Sequence, residues 1–143
     1  EVLAFSRNAT SDWVEFHNDT GSDMSLDGVS LSRRANGAGD WIFPMGSTIK
    51  VGGYLVVRFD DSQPVGDLNT GFPLAAEGGG VYMFDPDGFL SRSIEYGFQV
   101  ADRSIGMSDG RWQLLIEPTP GPSSKIPRTP SFARYLMFCE STK

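Results

Sequence analysis

The feature that most constrains the fold of this chain is a series of short apolar segments, each closed by turn residues. Segments of four to eight residues in which apolar and polar side chains alternate are typical of β-strands. The 17 glycines and 9 prolines punctuate the 143 residues at this spacing, and no helical pattern stands out before residue 122. We therefore expect an all-β protein.

Nine segments are candidates, and we expect eight or nine strands: 2–7, 13–17, 28–33, 41–43, 54–59, 81–84, 89–96, 104–107 and 112–115. In the third segment Val29 and Leu31 are expected to point inward. Ser30 and Ser32, which alternate with them, are expected to point outward. The segment 54–59 is apolar on both faces, which indicates a central strand covered on two sides.

Turn chemistry and burial complete the prediction of the fold. Asp85-Pro86-Asp87-Gly88 is a strong turn signal and predicts a hairpin between the sixth and seventh segments. An isolated hairpin cannot bury so many apolar faces, so we expect an immunoglobulin-like Greek-key sandwich of two sheets. Trp41 and Trp112 are both expected to be largely buried.

Composition excludes several classes of function. The single cysteine, Cys139, and the single histidine, His17, exclude a disulfide framework and sites built from several Cys or His residues. Residues 1–122 carry 8 Lys and Arg against 17 Asp and Glu, a net charge of −9, which disfavours nucleic-acid binding. His17 lies in no catalytic motif, so a small hydrolase is the least favoured reading. No cofactor is indicated, and no apolar run is long enough to span a membrane.

A change in composition divides the chain at residue 122. Residues 123–143 carry a net charge of +3, beginning with a Pro- and Ser-rich linker and continuing with an apolar segment that is either helix or strand. We expect residues 1–122 to form the domain and this tail to pack on its own sandwich or on a neighbouring copy, giving a homo-oligomer through 123–143. Because the chain begins with Glu1, we expect a piece of a larger or processed protein.

Several motifs follow one another in a fixed order. They are Asp12-Trp13-Val14-Glu15-Phe16-His17-Asn18, Ser25-Leu26-Asp27-Gly28-Val29-Ser30-Leu31-Ser32, Trp41-Ile42-Phe43-Pro44-Met45-Gly46, Gly52-Gly53-Tyr54-Leu55-Val56-Val57, Gly78-Gly79-Gly80-Val81-Tyr82-Met83-Phe84-Asp85-Pro86-Asp87-Gly88, Arg103-Ser104-Ile105-Gly106 and Pro118-Thr119-Pro120-Gly121. Together they resemble the lamin tail domain, the immunoglobulin-like module of nuclear lamins that also recurs in bacterial extracytoplasmic proteins. The first and last motifs resemble the bacterial branch.

The resemblance implies a non-catalytic interaction or scaffolding module of a larger secreted or surface protein, located outside the cytoplasm. Such a module binds protein partners or targets an attached domain, and an unpaired edge strand or an exposed apolar patch would indicate this role. The alternative is a carbohydrate- or cell-surface-binding sandwich, which would show coplanar aromatic side chains on an open face.

Three residues in and directly after the second segment are the candidate binding residues: Trp13, Glu15 and Asn18. They either form an aromatic and carboxylate patch for a ligand or serve the fold, with Asn18 closing a turn. A buried Glu15 carboxylate is costly without a partner, so we expect Arg58, Arg92 or Arg103 to approach it.

The turn at residues 85–88 offers one weak metal candidate. Asp85 and Asp87, followed by Gly88, resemble the start of a calcium-binding loop. The later ligands of such a loop are missing, so the preferred prediction is that the chain holds no metal.

Overall fold

The computed structural model describes residues 1–7, 11–108 and 110–121, which contain eleven strands and no helix. In chain order these are β1 (Val2–Leu3), β2 (Asp12–His17), β3 (Met24–Ser25), β4 (Ser30–Ser32), β5 (Trp41–Ile42), β6 (Thr48–Ile49), β7 (Tyr54–Phe59), β8 (Gly79–Phe84), β9 (Leu90–Tyr96), β10 (Ser104–Ser108) and β11 (Arg111–Leu115). The all-β prediction is confirmed. The predictions about the tail lie outside the described residues.

Two larger sheets form an immunoglobulin-like Greek-key sandwich, as expected from the sequence. One has the strand order β11-β10-β1-β2-β7 and the other the order β5-β4-β8-β9, and every pairing within them is antiparallel. A single buried apolar cluster draws Val14 and Ile105 from the first sheet and Leu31 and Val81 from the second. Each such side chain stabilises the fold by about 1.5–3 kcal/mol.

The strand count exceeds the prediction because two short strands carry no visible pattern. β3 and β6 have two residues each and pair only with one another in a separate small sheet. The first predicted strand, 2–7, ends as a strand at Leu3. Two residues are too few to show alternation of apolar and polar side chains, so strands of this length are hard to predict from the sequence.

The prediction of a central strand at residues 54–59 is wrong in its position. β7 has the predicted bounds but lies at the edge of the five-stranded sheet. A loop covers this edge: the Arg58 N–H donates to the Leu68 carbonyl, and the Thr70 N–H donates to the Arg58 carbonyl. The loop therefore closes the edge of the sheet at Arg58.

The predicted hairpin between β8 and β9 is confirmed. Asp85 Oδ1 accepts hydrogen bonds from the N–H groups of Asp87, at 3.0 Å, and of Phe89, at 2.9 Å. Gly88 adopts a φ of 85°, which an L side chain rarely tolerates. The carboxylate of Asp85 therefore serves the turn.

Ser30 and Ser32 alternate with the core residue Leu31 and so face away from the core as predicted, yet both side chains are buried. The loop 33–40 folds back over them. Ser32 Oγ donates to Asp40 Oδ2 at 2.5 Å, and Ser30 Oγ accepts a hydrogen bond from the Gly39 N–H at 2.9 Å. Polar side chains satisfied in this way are buried at little cost.

Among the residues that the structure describes, no helix has the length and apolarity needed to span a bilayer.

Candidate functional site

The residues singled out in β2 are all buried. Trp13 and Glu15 alternate with Val14 and Phe16, so the strand places them on one face of the five-stranded sheet. Trp13 is 6% exposed and Glu15 7% exposed. The structure therefore brings these two side chains to one face without offering them as an open patch.

Asn18 lies just beyond β2 and is fully buried. Its Nδ2 group donates to the carbonyls of Ser22 and Ile49, both at 2.8 Å. Its Oδ1 accepts from the N–H of Thr20 at 3.0 Å and from the Thr20 hydroxyl at 2.6 Å. This one side chain thus holds together the turn after β2 and the end of β6.

Two carboxylates hold the last described residues against the sandwich. Glu15 Oε2 accepts a hydrogen bond from the Gly121 N–H at 2.5 Å. Glu1 Oε1 accepts from the Thr119 N–H at 3.0 Å and from the Ser104 hydroxyl at 2.6 Å. Glu15, the buried acid that was predicted to need a partner, therefore has the backbone N–H of Gly121 as one of its partners.

An apolar crevice of about 150 Å³ opens between the two larger sheets beside this contact. Phe16, Met83, Ile94 and Trp112 are among its walls, together with Glu15. Trp41 is largely buried as expected, whereas Trp112 is partly buried and packs against the core, a lesser burial than that of Trp41. The reason is its position on β11, the outermost strand of its sheet.

The three arginines expected near Glu15 occupy different places. Arg92 lines the same crevice as Glu15. Arg58 lies opposite Trp13 in the pairing of β2 with β7, and the Arg103 guanidinium donates to the Ile116 carbonyl. An ion pair between Glu15 and one of them stays a prediction.

Next to the crevice runs β9, an edge strand of seven residues. Within the described part of the chain it pairs with β8 alone, and residues 90–93 are exposed. Across this hairpin the Tyr82 hydroxyl donates to Glu95 Oε1 at 2.6 Å, and this hydrogen bond raises the pKa of Tyr82 to about 12. The sheet thus ends in a long strand with one open side.

The sequence reasoning missed that Arg92, Ile94 and Trp112 come together. Arg92 and Ile94 stand two apart in a predicted strand, which places them on one face, but no local signal shows that this face borders β11.

The sole histidine, His17, is exposed and stacks on Tyr54 with ring centroids 4.4 Å apart. In the described ranges no three Asp, Glu, His or Cys side chains are grouped to hold a metal ion.

Comparison with known proteins gives one match. The model of the lamin tail domain family matches residues 1–98, which is more than half of the chain. A search of curated proteins and a search of solved structures found no match.

Proposed function

Because the chain belongs to the lamin tail domain family, we propose that it is a protein-binding module that takes up an extended segment of a partner along β9. The lamin tail domain is an immunoglobulin-like module of the protein-interaction type, on a typically non-catalytic fold. The residues of this chain supply the place at which such a partner would bind.

The observation that carries the proposal is the open side of β9. An edge strand presents backbone N–H and C=O groups that a second extended chain can pair with. β9 has seven residues, of which Leu90, Ser91, Arg92 and Ser93 are exposed. A partner strand added here would give affinity through main-chain hydrogen bonds.

The crevice supplies side-chain selectivity to the same edge. Arg92 and Ile94 of β9 line it, and Phe16 and Trp112 provide apolar surface opposite them. A volume of about 150 Å³ suits one apolar side chain of the partner. We therefore propose that the partner is an extended segment with an apolar residue flanked by polar ones.

The remaining parts of the proposal concern cellular context. A location outside the cytoplasm and a role in targeting an attached domain are supported by the resemblance of 12–18 and 118–121 to bacterial members of the family. Carbohydrate binding is less well supported, because Trp13 and Trp41 are buried and Trp112 is half-buried.

A displayed library of random extended peptides, selected on the intact protein, tests the proposal. Peptides that bind are expected to slow amide hydrogen exchange at residues 91–95. Ser93→Lys places a charge on the open edge and is expected to weaken their binding at least about tenfold, since lysines on edge strands oppose strand addition.

Ser25→Lys is the matched control, because Ser25 is an exposed strand residue of the separate small sheet. It is expected to leave peptide binding unchanged. Equal binding to the Ser93→Lys variant, or protection that avoids β9, would refute the proposal.

A further inference from the structure

A second and larger cavity, of about 560 Å³, opens at the other end of β8. The pairing of β4 with β8 ends at Ser32 and Tyr82, so Gly79 and Gly80 continue beyond the reach of β4. The chain turns away after Ser32, and the space it leaves is the cavity. Its volume lies within the range of ligand-binding pockets, about 300–1,000 Å³.

The loop that forms one wall is held by a set of short hydrogen bonds. Ser32 Oγ donates to Asp40 Oδ2 and accepts from the Arg34 N–H at 2.9 Å. Arg34 Nη2 then donates to both oxygens of Asp40, at 2.9 and 3.1 Å. A Cβ on Gly37 would collide with Ser32 Oγ and the Asp40 carboxylate, so the loop also packs closely. The wall is therefore preorganised.

Arg33 is fixed at the mouth of the cavity by two contacts. Its guanidinium lies 4.9 Å from the centroid of the Phe72 ring, and its Nη1 donates to the Pro73 carbonyl at 3.0 Å. The charge of Arg34 is balanced by Asp40, so the ionised side chains that line the cavity leave one net positive charge. This charge stands out because residues 1–122 carry −9.

Tyr96 adds a neutral hydroxyl to the lining. Burial raises the pKa of Tyr96 to about 12, so this side chain stays protonated at physiological pH. Phe72 and Ala75 supply apolar surface beside it. The one carboxylate of the lining, Asp40, already accepts from Ser32 and Arg34.

We propose that this cavity binds an organic carboxylate, its anionic group on Arg33 and the Tyr96 hydroxyl and its apolar part against Phe72. The lining offers hydrogen-bond donors and one net positive charge, which suits a monoanion that only accepts hydrogen bonds. Arginine binds carboxylates well because its planar fork of N–H groups matches their geometry. The site takes only Tyr96, the last residue of β9, and not the exposed residues Leu90 to Ser93, so it does not depend on strand addition there.

Such a carboxylate has two sources, a small free acid or the C-terminus of a polypeptide. Benzoate represents the first, and an acetylated hexapeptide ending in Phe with a free C-terminal carboxylate represents the second. Titration of the ¹⁵N-labelled protein with each probe follows the amide signals. At least one is expected to shift residues 33, 34, 72 and 96 in a saturable manner.

Two variants and one control decide whether the cavity is responsible. Arg33→Gln removes the charge and is expected to weaken binding at least about tenfold, and Tyr96→Phe removes only the hydroxyl and is expected to weaken it severalfold. Arg7→Gln is the matched control, since Arg7 is an exposed arginine whose guanidinium lies 5.2 Å from the Phe5 ring centroid. It is expected to have no effect.

The outcomes separate clearly. Binding of the peptide acid but not of its C-terminal amide assigns the site to polypeptide C-termini, whereas binding of benzoate alone assigns it to small acids. Absence of saturable shifts with both probes up to about 10 mM, or equal weakening by the Arg33→Gln and Arg7→Gln variants, would overturn the proposal. Since Tyr96→Phe changes no charge, it keeps the test valid if the loop of the Arg33→Gln variant rearranges.

Discussion

Replacement of Asn18 by alanine removes four side-chain hydrogen bonds at once, and its cost follows from where each partner lies. The Ile49 carbonyl is buried, so it loses its partner without gaining water, at about 1–3 kcal/mol. The Ser22 carbonyl and the two Thr20 groups are nearer the surface and contribute about 0.5–1 kcal/mol together after rehydration. We expect a total of about 3 kcal/mol, a large part of the stability of a domain of this size.

Urea unfolding followed by tryptophan fluorescence measures this cost. The midpoint is expected to fall without a change in slope, and the melting temperature is expected to fall by about 10 °C. Asn36→Ala is the matched control, because Asn36 is exposed on a loop, and it is expected to change the free energy of unfolding by less than about 0.5 kcal/mol. A cost for Asn18→Ala no larger than that of the control would refute the reasoning.

Three further predictions follow from the same structure. Trp41→Ala is expected to cost about 3–5 kcal/mol and Trp112→Ala clearly less, since only Trp41 is fully packed; equal costs in urea unfolding would contradict this. Ser32→Ala is expected to raise the pKa of Asp40, which the Ser32 hydrogen bond and then Arg34 hold below its ordinary value. The Asp40 carboxylate stabilises the fold at pH values above the ordinary aspartate pKa, and this contribution is lost as the pH falls through the lowered pKa. The free energy of unfolding of the variant is therefore expected to fall less on acidification than that of the unmodified protein. An unchanged ¹³C titration of Asp40 would rule this out. Deletion of residues 123–143 is expected to leave the sandwich folded, because β11 ends at Leu115, and either to expose apolar surface or to change the oligomeric state. Failure of the shortened protein to fold would place the domain boundary elsewhere.

The strands that could be predicted are those whose pattern is local. The bounds of β7 were predicted to the residue, and the turn from Asp85 to Gly88 was predicted from turn chemistry alone. Both depend on neighbouring residues, which a sequence displays directly. The position of β7 at the edge of its sheet depends on which distant strands pair with it, and no pattern within 54–59 shows those partners.

The candidate sites were harder to predict because each joins residues far apart in the chain. Ser30 and Ser32 read as outward-facing because serine alternates with apolar residues, yet the returning loop 33–40 buries them. The partner of Arg33 is Phe72, about forty residues away, and nothing in either segment indicates the other. The pairing of β4 with β8 and the contact of Phe72 with Phe59 help to bring these segments to one cavity.

The hydrogen bonds between Glu1 and Thr119 have a consequence for how the domain can be joined to others. Thr119 N–H lies 3.0 Å from Glu1 Oε1, so the first described residue and one of the last lie side by side. A domain bounded by these two residues would fit into a loop of a host domain without stretching it, and its ends could be fused and reopened elsewhere by circular permutation. A force that pulled Glu1 and Thr119 apart would act directly on these hydrogen bonds.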